Sequence, residues 1–405
     1  MVGGLLSDMR KEIVVLGATG SIGTQTLDIL MYSFDYELVG VSLSSRFEVL
    51  EPYLFYFDSL KYVAIEDEKA ALKFHKLHPS YVVISGKDCS VRLVEICSKA
   101  DVFNSLMGNC GLLPSLKAIE QGQDLLLSNK ESLVIGSTLI KPALKKSKSH
   151  LYPVDSEHVG LAKLLKEAKR LGIKKNQIRK LIVTASGGAL RDYPKKKLDN
   201  VSPDVVLKHP TWHMGSKITV DSATLVNKAF EVIEASVLFD FPLEKVDAII
   251  CRESLVHAEL IYEDANGEHT LLEYSPCSMK VAISYALSKG TLSMHRNSEE
   301  DLENIRKLHF ADIDHEFYPL FDVTRNVFSK YSNVGMIYYN AVDTYAIEMF
   351  LKKKMLFAQL RDSLVYAFSH MDSLPVLDEK NLDSIISASE EFAKDVVWKV
   401  VSLSR

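Results

Sequence analysis

The sequence predicts an α/β protein in three parts, and three observations support this fold class. Short runs rich in valine and isoleucine alternate with helical patterns between residues 12 and 130, which is typical of a parallel sheet covered by helices. Further strand candidates and a strongly apolar helix follow, and helical patterns dominate the last hundred residues. We therefore expect an N-terminal α/β domain at 1–150, a second α/β domain at 151–290, a linker at 291–311 and a C-terminal helical domain at 312–405.

The individual elements follow from the same patterns. The apolar runs of the first domain lack polar alternation, as strands buried on both faces do. These runs are residues 13–16, 38–41, 62–65, 81–84 and 124–127. The other predicted elements are strands at 151–154, which opens the second domain, 180–183 and 247–251, and helices at 341–356 and 388–402.

Composition excludes several classes of protein. The 405 residues are 47% hydrophobic and 25% charged, which is ordinary globular composition. The net charge of −5 offers no excess of basic residues for a nucleic-acid backbone, and no apolar run is long enough to cross a membrane. Five cysteines without a C-x-x-C pair indicate a reducing compartment. We expect a cytoplasmic protein that binds neither nucleic acid nor membranes.

A glycine-rich segment, Val15–Gly23, follows the first predicted strand and opens a helix. Glycines let the backbone turn tightly, so that amide groups and the helix N-terminus can approach a pyrophosphate. The spacing alone is a weak signal, and a purely structural turn is the alternative. Its position after the first strand of an alternating pattern favours a Rossmann-like dinucleotide-binding domain.

The end of the second predicted strand indicates which dinucleotide is bound. NAD sites usually place a carboxylate there, whereas NADP sites place arginine or other hydrogen-bond donors. This chain has Ser44, Ser45 and Arg46 at that point. NADPH is therefore favoured, with Arg46 as an ordinary surface arginine the alternative.

Two groups of polar residues predict a metal site. Asp155 and Glu157 lie two residues apart at the end of a predicted strand and so face the same side. A helix expected to begin at Asp221 is apolar nearly all round, yet Asn227 and Glu231 form a polar stripe on it. Carboxylates without clustered cysteine or histidine imply a hard cation, Mg²⁺ or Mn²⁺. Solvated loop charges and a structural network through Lys228 are the alternatives.

Two further segments have properties of a ligand site. Residues 184–188 end a predicted strand with hydroxyl groups and glycine amides that suit a phosphate, although a tight turn explains them equally well. Residues 209–215 combine proline, glycine and large amphipathic side chains, as a water-excluding lid does. The alternative for Trp212 is a simple core position.

Taken together, these motifs resemble the 1-deoxy-D-xylulose-5-phosphate reductoisomerase family. The matching segments lie between about residues 12 and 260 and form a specific set. They are Gly17–Gly23, Gly111–Pro114, Ser128–Ser132, Pro153–His158, Ser186–Gly188 and His209–Glu231.

The resemblance implies an NADPH-dependent and divalent-metal-dependent enzyme of isoprenoid precursor biosynthesis by the non-mevalonate pathway. Its substrate is a small phosphorylated sugar, 1-deoxy-D-xylulose 5-phosphate, and its product is 2-C-methyl-D-erythritol 4-phosphate. Metal-held substrate oxygens are polarised so that the carbon skeleton rearranges, and the branched aldehyde then takes hydride from NADPH. A homodimer is expected.

The resemblance also implies roles for individual residues. The expected NADPH contacts are Thr19, Gly20, Ser21, Ile22, Asn129, Glu131 and Gly215, with Ser44, Ser45 and Arg46 near the adenosine phosphate. The expected metal ligands are Asp155, Glu157 and Glu231. The expected phosphate cradle is Ser186, Ser222, Asn227 and Lys228, with His209 beside it. Ser156 and Lys130 are expected to meet other substrate oxygens, and Trp212 and Met214 fall in a flap.

Departures from the family pattern are concentrated late in the chain, although residues 189–190 read Ala-Leu for the usual Pro-Phe and residues 229–230 read Ala-Phe for the usual Gly-Leu. Residues 275–280 only loosely resemble a Pro-Asp-Met stretch, and residues 340–343 read Asn-Ala-Val-Asp where the family has Asn-Ala-Ala-Asn. An NADPH-dependent reductase of another phosphorylated substrate and an NADPH-binding regulatory protein are the competing hypotheses. A regulatory protein, however, has no need of three convergent carboxylates and a phosphate cradle.

Overall fold

The computed structural model describes residues 10–212, 214–292, 303–374 and 382–403, and these residues pack into two compact units. Unit 1 comprises residues 10–132, 138–155 and 278–292. Unit 2 comprises residues 133–137 and 156–277 and the described residues from 303 onward. The helical C-terminal residues thus group with the second α/β region, whereas residues 278–292 group with the first. Residues 293–302 of the linker predicted at 291–311 lie outside the described residues, and Phe310–Ala311 within it form a short strand.

The strands form two sheets. In chain order they are β1 (Lys11–Leu16), β2 (Tyr36–Leu43), β3 (Tyr62–Ile65), β4 (Val82–Ser85), β5 (Asp101–Asn104), β6 (Leu125–Leu127), β7 (Leu151–Pro153), β8 (Ile178–Ala185), β9 (Val246–Cys251), β10 (Val256–Asp264), β11 (Gly267–Tyr274) and β12 (Phe310–Ala311). Unit 1 holds a parallel sheet of order β4-β3-β2-β1-β5-β6-β7. Unit 2 holds a mixed sheet of order β11-β10-β8-β9-β12. The predicted α/β fold class is confirmed.

Helices pack against both sheets, and short 3₁₀ turns connect several of the elements. The helices are α1 (Ser21–Leu30), α2 (Glu51–Leu54), α3 (Glu68–Leu77), α4 (Cys89–Ile96), α5 (Leu112–Glu120), α6 (Lys130–Lys146), α7 (Ser156–Arg170), α8 (Pro203–Val206), α9 (Ser216–Thr224), α10 (Val226–Phe239), α11 (Met279–Leu287), α12 (Pro319–Leu351), α13 (Phe357–His370) and α14 (Leu382–Leu403). In the described parts of the chain, none of them is both long and apolar enough to cross a bilayer.

Four of the described strands were not predicted, and the assignment of a fifth was wrong; the shortest of the four, β12, falls in the predicted linker. β5 was not predicted, because Asp101 and Asn104 give its four residues a polar character although all four are buried. β10 and β11 were missed because charged residues interrupt them, as expected of an antiparallel hairpin with a solvated end. β7 does not open the second α/β region: it pairs in parallel with β6, Leu125 opposite Leu151, at the edge of the first sheet.

The order of the first sheet positions the glycine-rich loop. β1 has β2 on one side and β5 on the other, so the chain direction of the crossovers reverses at β1. Ligands of open α/β sheets bind in the crevice at the carboxyl end of the strands at such a switch point. The loop between β1 and α1 lies at this end of the sheet.

In unit 2, α10 lies between the sheet and the C-terminal helices. It packs against β9, α9 and α12. Its side chains Ala229 and Val232 share a core with Val183 of β8, Ala248 of β9 and Phe321 of α12. Neighbours on several sides explain why the sequence of α10 is apolar nearly all round. Its few polar side chains are therefore held in fixed, buried surroundings.

A cluster of charges joins α11 to the first sheet. The Lys289 ammonium, just beyond α11, lies 3.0 Å from Asp101 and 2.5 Å from Asp124, which stand at the starts of β5 and β6. Burial by itself would raise the pKa of Asp124, but hydrogen bonds from Lys289 and His150 more than offset this and lower that pKa to about 2. Tyr36 adds a hydrogen bond of 3.0 Å to the Leu287 carbonyl.

We predict that Lys289→Gln lowers the free energy of unfolding by about 1–3 kcal/mol near neutral pH. The variant removes an ammonium from the buried Asp101 and the partly buried Asp124 and leaves them with the more exposed Lys11. Asp124 has a lower pKa folded than its ordinary value of 3.8, so its contribution is complete above about pH 4 and is lost as the pH falls toward 2. The difference between variant and parent should therefore shrink over that range in urea titrations.

Lys280→Gln is the matched control, since Lys280 lies on α11 but forms a longer, exposed pair of 3.7 Å with Asp28. It should cost less than about 0.5 kcal/mol. Equal losses in the two variants would contradict the role assigned to Lys289.

Candidate functional site

The loop between β1 and α1 forms a tight turn that only glycine permits. A Cβ on Gly23 would come within 2.2 Å of the Gly17 carbonyl oxygen, and the Gly20 amide donates to that same oxygen at 3.0 Å. No side chain caps the start of α1 among the described residues, so its first amides face outward. The predicted cofactor residues Thr19, Gly20, Ser21 and Ile22 all lie in this turn. The loop is therefore suited to a pyrophosphate.

Arg46 lies beside the glycine loop. Its guanidinium donates to the Thr19 carbonyl oxygen at 3.3 Å, which places a permanent positive charge at the end of β2. Ser45 is exposed next to it, whereas the Ser44 hydroxyl donates to the Glu66 carboxylate at 3.1 Å. Sequence reasoning missed Glu66 because it follows β3, and only the parallel pairing of β2 with β3 brings it to Ser44.

Asn129 and Glu131 lie next to the loop that follows β5, and the Asn129 side chain holds that loop in place. The Asn129 side chain accepts the Ser132 amide at the start of α6 and donates to the carbonyls of Leu106 and Gly108 and to Glu131. Asn129 is thus a cap of α6 as well as a predicted cofactor residue. Gly215, also predicted for the cofactor, lies in unit 2 and directly precedes α9.

The three predicted metal ligands come together where the chain enters α7. Asp155 directly precedes this helix, Glu157 lies in its first turn and Glu231 lies on α10. Each offers one carboxylate oxygen, and the three oxygens lie within 4.8 Å of one another. Hard oxygen donors at this spacing fit the coordination of Mg²⁺ or Mn²⁺.

Lysine ammonium groups balance these acidic side chains. The Lys228 ammonium lies 2.6 Å from Glu157 and also contacts Glu231, and both Lys228 and Glu231 are buried. The Asn227 amide donates to the other oxygen of Glu231 at 2.6 Å. Lys130, also buried, lies 2.9 Å from Asp155. The polar stripe of α10 is therefore directed at Glu157.

The helix that carries this stripe begins later than predicted. Leu225 adopts a left-handed conformation with φ of 57°, so the chain forms α9 and then α10 rather than one helix. The expectation that Asp221 caps the helix is wrong: Asp221 lies inside α9 and accepts from Lys217 at 2.8 Å. Asp343 of α12 accepts from the same ammonium at 2.6 Å. This long-range pairing could not be read from local sequence.

His158 is a buried residue behind the carboxylates that sequence reasoning did not select. Its Nε2 atom lies 3.0 Å from the Glu231 carbonyl oxygen and 3.5 Å from the Glu234 carboxylate. It therefore ties α7 to α10. Its position three residues after Asp155 in the same motif was the available signal.

Residues Ser186–Gly188, here called the phosphate loop, follow β8 and lie against α9. Gly188 has φ of +67°, and a Cβ there would come within 2.5 Å of the Ser222 carbonyl oxygen. The Gly188 amide donates to the Ser186 hydroxyl at 3.1 Å. The loop thus brings Ser186 and Ser222, two of the predicted phosphate residues, to one place.

His209 connects the phosphate loop to the predicted lid. Its Nδ1 atom accepts the backbone amides of Thr211 and Trp212 at 3.1 and 2.9 Å, so Nε2 carries the proton and donates to the Ser186 hydroxyl at 3.0 Å. Burial, with a smaller effect from the Arg191 charge, lowers the pKa of His209 to about 4. The ring is therefore neutral at neutral pH and acts as a fixed donor.

The rest of the predicted lid is only partly described. The half-buried Trp212 ring lies 6.4 Å from the His257 ring between centroids. Met214 is also half-buried, and His213 lies outside the described residues. Trp212 is therefore neither a fully buried core residue nor a freely exposed one.

Two side chains that hold the phosphate loop were also missed. The Arg191 guanidinium donates to the Ser186 carbonyl oxygen at 2.9 Å, and the Tyr318 hydroxyl donates to the Gly187 carbonyl oxygen at 2.8 Å. Arg191 lies close to the loop in sequence, but no motif marks it. Tyr318 is 131 residues away from Gly187, and only tertiary packing brings it there.

Comparison with known proteins gives consistent results over nearly the whole chain. The model of 1-deoxy-D-xylulose 5-phosphate reductoisomerase matches residues 13–137, that of its C-terminal domain matches 151–239, and that of the DXP reductoisomerase C-terminal domain matches 274–394. The 1-deoxy-D-xylulose 5-phosphate reductoisomerase of Thermotoga neapolitana is 34% identical over 95% of this chain and 96% of its own. The Thermotoga maritima protein of that name is 36% identical over 93% of each chain.

Solved structures match as closely. A structure of DOX-P reductoisomerase in complex with NADPH, fosmidomycin and magnesium aligns with a TM-score of 0.85 at 26% identity, covering 98% of this chain and 99% of that one. The 1-deoxy-D-xylulose 5-phosphate reductoisomerase of Zymomonas mobilis in complex with NADPH aligns with a TM-score of 0.82 at 26% identity, covering 96% and 99%.

Proposed function

The chain belongs to the 1-deoxy-D-xylulose 5-phosphate reductoisomerase family, and we propose that the carboxylates and the phosphate loop described above are its active site. The protein is an NADPH- and divalent-metal-dependent oxidoreductase that converts 1-deoxy-D-xylulose 5-phosphate to 2-C-methyl-D-erythritol 4-phosphate in isoprenoid precursor synthesis. The family, fold, cofactors and activity inferred from the motifs are confirmed.

The observation that carries the assignment of the site is the convergence of Asp155, Glu157 and Glu231. Three carboxylate oxygens within 4.8 Å repel one another unless cations lie among them, and lysines supply part of that charge. The donor set is purely oxygen, as Mg²⁺ and Mn²⁺ prefer. We therefore assign these three residues as the ligands of the divalent metal.

The phosphate of the substrate is assigned to the groups around the phosphate loop. Ser186 and Ser222 offer hydroxyls, and Asn227 and Lys228 offer an amide and an ammonium from α10. Because Lys228 and Asn227 also contact the metal ligands, one helix face serves both the phosphate and the metal. Binding through the phosphate, away from the reacting carbons, holds a small substrate through both chemical steps.

The reacting part of the substrate is assigned to Ser156 and Lys130. The Ser156 hydroxyl precedes Glu157 at the start of α7, and the Lys130 ammonium is held by Asp155, so both donors stand next to metal ligands. When bound, the metal polarises the substrate's carbonyl and hydroxyl oxygens, and NADPH supplies the hydride. The two donors can then hold the same oxygens as charge develops on them.

His209, Trp212 and Met214 are assigned to orient the phosphate loop and to cover the substrate. A neutral His209 holds the backbone amides of Thr211 and Trp212 on one side and the Ser186 hydroxyl on the other. His209 therefore couples the position of the lid to the geometry of the phosphate loop. Exclusion of water by Trp212 strengthens the polar contacts beneath it.

For NADPH, we assign the pyrophosphate to the amides of residues 19–22 and the adenosine phosphate to Ser44, Ser45 and Arg46. Asn129, Glu131 and Gly215 are assigned to complete the cofactor site. Two observations support this assignment of NADPH. The glycines form a tight turn in which a Cβ would clash with the backbone, and Arg46 places a positive charge at the end of β2. We also propose that the protein works in the cytoplasm, where NADPH and sugar phosphates are found.

We further propose that the protein is a homodimer that forms through the outer face of the second sheet. Ile182, Ile249, Ile261 and Leu272 project from four neighbouring strands on the face opposite the core of unit 2. The first three line a recess of about 540 Å³, and Leu272 is 42% exposed. Charged side chains, among them Arg179, Lys180 and Asp247, also line the recess. Apolar side chains from neighbouring strands with charges of both signs around them suit a two-fold interface, in which each surface meets its own copy.

We predict NADPH oxidation that requires both 1-deoxy-D-xylulose 5-phosphate and Mg²⁺ or Mn²⁺. Glu231→Gln should reduce kcat at least about a hundredfold, because it removes one charged metal ligand, while NADPH binding is unchanged. Absorbance at the NADPH band follows turnover, and fluorescence follows binding.

The control for this experiment is Glu244→Gln, a change of the same chemistry at an exposed position of unit 2, which should behave as the parent. Metal-independent turnover would overturn the assigned chemistry. Full activity of Glu231→Gln would refute the assignment of Glu231 alone.

We predict that Arg46→Ala raises the KM for NADPH about tenfold and leaves the KM for NADH nearly unchanged, because the lost charge pairs only with the 2′-phosphate. Arg92→Ala is the matched control, since Arg92 is also exposed and donates to a backbone carbonyl, that of Ser85, at 3.1 Å. Equal effects on NADPH and NADH would show that Arg46 does not read the phosphate.

We predict that light scattering gives the mass of a dimer for the parent and of a monomer for Ile261→Lys, because lysine would bury a charge in the proposed interface. Leu171→Lys, at a 48% exposed position of unit 2 at the end of α7, should remain dimeric. A monomeric parent, or a dimeric Ile261→Lys, would contradict the proposed interface.

A further inference from the structure

The phosphate loop is held from behind by two side chains outside the recognised motifs. Tyr318, which directly precedes α12, donates its hydroxyl to the Gly187 carbonyl oxygen at 2.8 Å. Its ring is buried in the core of unit 2, with the Phe317 ring at 4.7 Å between centroids. Arg191 donates to the preceding carbonyl, that of Ser186, at 2.9 Å. Two successive carbonyls of the loop are thus fixed.

Fixing these carbonyls also fixes the direction of the amides. In a planar trans peptide the C=O and N–H groups point in opposite directions. The Gly187 N–H must therefore point away from Arg191, and the Gly188 N–H away from Tyr318. The Gly188 amide accordingly reaches the Ser186 hydroxyl at 3.1 Å. Positive φ angles of 84° and 67° at the two glycines make this backbone path accessible.

The result is a defined orientation of the Ser186 hydroxyl. Its oxygen accepts from the Gly188 amide and from Nε2 of His209, which occupies both of its acceptor positions. The hydroxyl hydrogen is then directed away from both donors and can be offered to an anion. The geometry of this donor depends on the Gly187–Gly188 peptide that Tyr318 holds.

We propose that Tyr318 is a positioning residue of the substrate-phosphate site, acting through the Gly187 carbonyl to aim the donors of the phosphate loop. This inference rests on the function proposed above. In this proposal, a residue of the C-terminal helical region affects the site through one hydrogen bond to the phosphate loop. Burial raises the pKa of Tyr318 to about 12, so the hydroxyl keeps its proton and donates throughout the neutral range.

Tyr318→Phe tests the proposal because it removes one hydroxyl and keeps the ring that packs in the core. We expect the KM for 1-deoxy-D-xylulose 5-phosphate to rise about tenfold, since a buried carbonyl loses its partner and the loop relaxes. We expect kcat to change less than about twofold, and the KM for NADPH not to change.

Tyr36→Phe is the matched control. Tyr36 is equally buried, and its hydroxyl also donates to a backbone carbonyl, that of Leu287, but in unit 1. Tyr36→Phe loses a hydrogen bond of the same kind and also the contact of its hydroxyl with the Asp101 carboxylate at 3.2 Å, so it should lose at least as much stability as Tyr318→Phe. Only Tyr318→Phe should change the KM for the sugar phosphate.

A second measurement uses inorganic phosphate alone and does not depend on turnover. Phosphate should raise the thermal unfolding midpoint of the parent and of Tyr36→Phe, and it should raise that of Tyr318→Phe less. An unchanged KM with an undiminished phosphate effect, or a fall in kcat alone, would overturn the proposal. A parent that binds phosphate but does not turn over the sugar phosphate would refute the proposed function and leave this test of Tyr318 intact.

Discussion

The carboxylates of Glu157 and Glu231 lie close together and are mostly buried. Their mutual repulsion is unfavourable, and the surrounding residues offset it. Like charges at this distance repel one another unless positive charge lies near both. The Lys228 ammonium contacts both carboxylates from the same helix as Glu231. His158 joins the two helices that carry them, and Lys130 serves Asp155 in the same way. A divalent cation at the proposed site would add to the positive charge that the lysines supply, and the oxygen donors there suit a hard cation.

The same helix, α10, shows how the fold makes such a site rigid. Its apolar residues pack against the sheet, α9 and α12, so the backbone cannot move without disturbing the core of unit 2. Polar residues at positions 227, 228 and 231 therefore present their groups at fixed points. Ser222 is fixed by the break at Leu225 and by the close approach of the Gly188 backbone. The phosphate loop continues this pattern, since buried groups tie its carbonyls and leave its donors directed outward.

The C-terminal helices acquire a role in this arrangement. The sequence at residues 340–343 departs from the pattern expected of the family. Within it, Asp343 forms an ion pair with Lys217 of α9, which lies two residues after the predicted lid. Tyr318 reaches the phosphate loop from the start of α12. The C-terminal region, which matches the family's C-terminal domain model over residues 274–394, is thus connected to α9 and to the phosphate loop.

Local sequence determined the features that depend on short spacing. The apolar runs predicted eight of the described strands because strands buried on both faces carry few polar residues. The i, i+3 and i, i+4 spacing on α10 predicted the contacts of Asn227 and Lys228 with Glu231. The motifs were sufficient for the family, the cofactors and the reaction. Tertiary structure alone decided the pairing of β7 with β6, the place of Glu66 beside Ser44, the interruption of the helix at Leu225, and the contact of Tyr318 with Gly187. Each of these features joins residues that are far apart in the chain or results from the packing of distant elements. Neither the type of a residue nor the local spacing of apolar residues specifies which distant group will pair with a buried charge or carbonyl.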